Sequence, residues 1–120
     1  MIKKDKRHHS RFNSLNLLSY VCIDKIDQIV AQGIGRTLNV SEGGILLETH
    51  IQIDTKHKMS LTIGFEDDLA DIKGKVAHSK PREGGKFESG IHFLEINEKA
   101  SKVLIKYIKA FKKQQSTKQE

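Results

Sequence analysis

The chain of 120 residues contains no tryptophan, one proline and one cysteine. With Cys22 alone no internal disulfide can form, and a reducing, cytoplasmic location is the expectation. Its neighbours Tyr20, Val21 and Ile23 read it as a packed core thiol rather than a reactive one. No apolar run approaches the ~20 residues that cross a bilayer, so no membrane insertion is expected. The charged amino terminus lacks the apolar stretch of a signal peptide. Aromatic residues are few, five Phe and two Tyr, and most fall at core-phased positions. Little is left over for a platform on which nucleic-acid bases would stack.

What remains describes one soluble domain. Hydrophobic residues make up 37% and charged residues 30% of the chain, a balance that excludes a disordered chain. At this length roughly two-thirds of the unfolded surface is buried on folding. The net charge of +6 is unevenly spread. Residues 1–11 carry five basic side chains against Asp5, residues 12–98 nine against thirteen acidic, and residues 99–120 seven lysines against Glu120. The body is therefore mildly acidic and both ends are basic. A protein that wraps a nucleic-acid backbone more often spreads positive charge over its folded face.

Residues 1–14 are polar and aperiodic and read as a flexible basic arm. From residue 15 to 96 apolar residues alternate in short runs: "LNLLSYVCID", "QIVAQGIGRTL", "GILLET", "KMSLTIGF", "ADIKGKVAHS" and "KFESGIHFLEI". Met59, Leu61, Ile63 and Phe65 share one face. Ile72, Gly74, Val76 and His78 share another, and Phe87, Ser89, Ile91 and Phe93 a third. Gly33 and Gly35 suit bends or bulges, and "KPREGG" (residues 80–85) reads as a loop. Six short strands joined by turns predict a mainly β fold, a six-stranded antiparallel barrel or a sandwich. The period then changes. Ala100, Val103, Leu104, Tyr107, Ile108 and Phe111 recur at helical spacing behind Asn97, a candidate N-cap. This predicts a C-terminal amphipathic α-helix over 97–113 whose apolar stripe plugs the barrel, with a frayed tail over 114–120.

Two short stretches carry the functional signal. "KRHHSRF" (residues 6–12) places Arg7 and Arg11 four apart in the arm. "LNVSEGGILLE" (residues 38–48) places Asn39, Ser41 and Gly44 at N-x-S-x-x-G spacing between two strands. Each alone fits a solvated arm or a tight turn. Together, in this order and on this architecture, they resemble the PilZ domain family of bacterial cyclic di-GMP receptors. That family is marked by R-x-x-x-R in an amino-terminal arm and [DN]-x-S-x-x-G in a six-stranded barrel followed by a helix. "GKVAHS" and "ESGIHFLEI" resemble its closing strands.

The resemblance implies a ligand-binding receptor, not an enzyme, with no cofactor besides the ligand cyclic di-GMP. Arg7, Arg11, Asn39, Ser41 and Gly44 would contact it, with Lys6 and Gly43 as possible further contacts. The chemistry agrees. Guanine offers O6 and N7, a pair that the planar arginine fork meets bidentately, worth roughly 1–3 kcal/mol in discrimination. In an extended arm the two arginines lie roughly 13 Å apart at most, a span that brackets a compact dianion. Asn39 in place of the commoner Asp keeps an accepting oxygen without a charge, so weaker affinity is expected. The arm would order on binding, and an unknown downstream protein would receive the signal in trans. Two alternatives stand beside this reading: a basic-ended barrel binding single-stranded nucleic acid, and a ligand-independent protein-interaction adaptor. His8, His9, His50, His57, His78 and His92 are scattered and read as exposed or strand-edge residues. "EDD" at 66–68 reads as a solvated turn, and no metal site is expected.

Overall fold

The computed structural model describes residues 17–119, and the side chains through residue 115. Six strands close into an antiparallel barrel: β1 (Leu17–Ile23), β2 (Ile29–Val40), β3 (Gly44–Thr49), β4 (Lys58–Phe65), β5 (Asp68–Arg82) and β6 (Lys86–Phe93), in spatial order β1-β2-β3-β6-β5-β4. The helix α1 follows over Glu98–Gln119. The mainly β expectation therefore holds, and the barrel rather than the sandwich is the outcome. Closure gives every strand two neighbours in the sheet.

The alternating residues fill the interior. Leu18, Tyr20 and Cys22 of β1, Met59, Leu61 and Ile63 of β4, and Ile72 and Val76 of β5 are all buried. They form one cluster with Ala100, Val103, Leu104, Tyr107, Ile108 and Phe111 of α1. The helix thus completes the core of the barrel, packing on β4 and β5. Its Tyr107 hydroxyl lies 2.7 Å from that of Thr37 on β2, both buried. The Asn97 side chain accepts from the Ala100 amide at 2.7 Å, the N-cap bond the sequence predicts. Burial pushes the Cys22 thiol up to about 11, which keeps it a protonated core side chain.

Four local readings of the sequence are corrected. The helix continues to Gln119, past the expected end at residue 113. Gln114 is buried, so the packed face continues a turn further than the apolar residues do. Residues 80–82 belong to β5, not to a loop. The ladder from β5 to β4 ends at Lys75, so Pro81 lies where β5 pairs with β6 alone, a position at which a missing N–H is tolerated. Gly33 and Gly35 lie in unbroken pairing, and Gly33 sits across from the Tyr20 ring. The irregularities fall at other residues: at Val30 of β2, opposite the Cys22–Ile23 step of β1, in β2 between Thr37 and Asn39, and in β5 between Val76 and His78.

Glu48 ties the outer face together. Its carboxylate accepts from Arg36 Nε at 3.0 Å and Nη2 at 3.3 Å on β2, and from Arg82 Nη1 at 2.6 Å on β5. Lys86 Nζ of β6 stands 3.8 Å away. The Arg36 hydrogen bond, with the charges of Arg36, Lys86 and Arg82, holds this carboxyl below the usual 4.5. A depressed folded-state pKa stabilises the fold above the unfolded value and is lost as pH falls through the folded one. Glu48→Gln is therefore expected to cost about 1 kcal/mol at pH 7, a charge-assisted bond discounted for the exposed cations. The gap to wild type should narrow below about pH 4 in denaturant titrations run at each pH. An equal gap at pH 7 and pH 3 would contradict it.

Candidate functional site

The bulges before Asn39 and His78 have the same consequence on their strands. In β2, Gly35 and Thr37 point inward, and strict alternation would bury Asn39 as well. The extra residue, Leu38, shifts the register so that Thr37 pairs with Leu47 and Asn39 with Leu46. Asn39 becomes exposed and Val40 buried. In β5, Ile72, Gly74 and Val76 point inward. Ala77 is the extra residue, and His78, read from the sequence as sharing their face, turns out to solvent instead. Ser79 takes the inner position, where its hydroxyl lies 2.8 Å from Ser89 Oγ and accepts from the Ile53 amide at 3.0 Å.

Asn39 and His78 then face one open depression of about 380 Å³. One wall is the β2–β3 turn with Asn39, Ser41, Gly43 and Gly44, and the other is Ala77, His78 and His92, with Gly90 between. The turn is firmly built. The Ser41 amide donates to the Gly44 carbonyl at 2.9 Å, and Ser41 Oγ accepts from the Gly43 amide at 3.3 Å. The Gly43 carbonyl accepts from the Phe93 amide at 3.0 Å, which fastens the turn to β6. Asn39 Oδ1 accepts from the Val40 amide at 2.9 Å. One lone pair of the oxygen expected to serve a guanine amine is thus engaged, and the amide N–H donors remain for a ligand.

The glycines act by close approach, not by unusual backbone angles. Neither Gly43 nor Gly44 has positive φ. A Cβ on Gly44 would run into the Ile91 carbonyl oxygen of β6, whereas one on Gly43 would meet nothing within 4 Å. On the opposite side, a Cβ on Gly74 would lie 2.8 Å from the His92 carbonyl. The Ile91–His92 backbone is pinched between two glycines. Gly90 admits the His78 ring, whose Nδ1 would stand 2.8 Å from a Cβ there. The imidazole therefore lies close over the Gly90 backbone, with Nε2 3.7 Å from Glu88 Oε2.

Four of the sequence-predicted residues, Asn39, Ser41, Gly43 and Gly44, are thus brought together. Arg7, Arg11 and Lys6 lie outside the described residues. His78, His92 and Gly90 were missed as site residues. The only signal for Gly90 was the "SGIHF" run, and for His78 there was none, because a bulge cannot be read from alternation. Among the described residues no group of His, Cys, Asp and Glu is arranged to hold a metal ion.

The fold is thus a closed six-stranded barrel capped by a helix, with a glycine-bearing turn beside an open depression. The PilZ domain family model matches residues 5–110, and the chain belongs to that family, one of cyclic di-GMP receptors rather than enzymes. No curated protein matches the chain, and no solved structure does.

Proposed function

We propose that this protein is itself a cyclic di-GMP receptor. The observation that carries the reading is the two bulges that precede Asn39 and His78. They turn Asn39 and His78 outward to one depression that already holds Ser41 and Gly44 of the family motif. Ser41 and the Asn39 amide offer hydrogen bonds to a guanine edge or a phosphate. His78 offers a flat ring against which a purine can stack. Arg7 and Arg11, in an arm over residues 1–14, supply the bidentate guanine and phosphate contacts and close over the ligand from outside. Binding orders the arm, and the new surface passes the signal to a protein partner in trans.

The nucleic-acid alternative gains no support from the fold. Tyr20, Tyr107 and Phe111 are buried, and Phe65 and Phe93 pack against the core. Among the described residues this leaves only the half-buried Phe87, which makes no row of aromatic faces for successive bases.

Isothermal titration tests the proposal. Wild type is expected to bind cyclic di-GMP saturably, and GTP and a short RNA far more weakly. Arg11→Ala is expected to lose roughly 10- to 100-fold, the worth of one bidentate guanine pair. A folded wild type that takes up no cyclic di-GMP would refute it.

A further inference from the structure

The outer face of α1 carries a feature that ligand binding does not use. Lys99, Lys102, Lys106, Lys109 and Lys113 follow at i, i+3, i+7, i+10 and i+14, all exposed. At 3.6 residues per turn they fall within an arc of about 80°, opposite the buried stripe, and form a straight ridge about 21 Å long. Glu98 is the one acid between residues 98 and 115. Among the described residues no ion pair engages Lys99, Lys102, Lys106 or Lys109. Like charges at these spacings destabilise a helix. A helix face that only needs solvation mixes the two signs, and so avoids this cost.

The composition of the ridge selects its counterpart. Protein interfaces draw their energy from aromatic and arginine anchors and are poor in lysine. This ridge has no arginine and no aromatic residue, and Ile105 on its flank is its one exposed large apolar side chain, 37% exposed. A broad, shapeless anionic plane needs no anchors, because each lysine near it contributes independently. The apolar stripe of α1 is spent on the barrel core, so nothing remains for insertion, and no described helix is apolar enough to cross a membrane. We infer that the α1 lysine ridge docks the domain flat on an anionic lipid bilayer by charge alone. This does not depend on cyclic di-GMP binding.

The test is cosedimentation of the full chain with vesicles. Binding is expected to phosphatidylcholine vesicles containing phosphatidylglycerol, to fall away in 0.5 M salt, and to be absent on phosphatidylcholine alone. Lys102→Glu/Lys106→Glu/Lys109→Glu is expected to weaken it roughly a hundredfold, at about fivefold per lysine even before the added repulsion. Lys25→Glu/Lys56→Glu/Lys58→Glu, of the same net charge but off the ridge, should retain most of it. Circular dichroism melts establish that both variants fold. Equal loss in the two variants would overturn the inference, as would no wild-type binding to anionic vesicles. Ridge-dependent binding to duplex DNA that exceeds binding to vesicles would overturn it too, and would assign the ridge to nucleic acid.

Discussion

Gly44→Ala is expected to lower the stability of the barrel by about 2 kcal/mol, in the range of overpacking a tight site. It should also weaken cyclic di-GMP binding at least tenfold. The added methyl would run into the Ile91 carbonyl oxygen. That obstacle is backbone, held in the β3–β6 ladder by the pairing of Gly44 with His92, and it cannot swing aside as a side chain can. Relief would come from parting β3 and β6 beneath the depression. The bond from the Phe93 amide to the Gly43 carbonyl, and with it the position of Ser41, would be disturbed. Gly43→Ala is the internal control. Its Cβ would meet nothing within 4 Å, and stability should change by less than about 0.5 kcal/mol. Denaturant midpoints and titrations of both variants check this. Equal stability losses would show that the turn, rather than the close approach, sets the requirement. At Gly90 the nearest obstacle is the His78 ring, which can rotate away, so a substitution there should act on binding far more than on stability.

Leu104→Ala is expected to destabilise the fold by about 3 kcal/mol, with a fall in Tm of roughly 10 °C. Leu104 is 2% exposed and belongs to the cluster that unites the barrel interior with α1. Its truncation opens a cavity between two elements that cannot both collapse onto it. Tyr107→Phe removes only the hydroxyl that meets Thr37 and should cost about 1 kcal/mol. The helix and barrel share one core, so thermal melts should remain single transitions in both variants. A separate early helix transition in Leu104→Ala would mean that α1 docks on a barrel already complete without it.

Much of this protein is legible in the sequence, for identifiable reasons. Met59, Leu61 and Ile63 alternate against polar neighbours, so β4 and its buried face follow from period alone. The six apolar positions from Ala100 to Phe111 keep helical spacing, so α1 and its packed side follow too. Asn39, Ser41 and Gly44 lie within six residues of one another, and a local motif stays local in any fold. The lysine ladder of α1 was equally present in the sequence, on the side that the apolar stripe leaves exposed.

What alternation could not supply were its own interruptions. A bulge adds one residue where two strands disagree in length and curvature, and that disagreement exists only once both strands are paired. Leu38 and Ala77 are such residues. Each reverses the facing of everything after it on its strand, carrying Asn39 out of the interior and His78 off the face it shares by alternation with Ile72, Gly74 and Val76 to the edge of the depression. The sequence by itself determined the six strands, the helix, the core and the motif. Closure of the barrel, through register, decided which side chains share the site, because neighbours across strands are set by pairing and not by order along the chain.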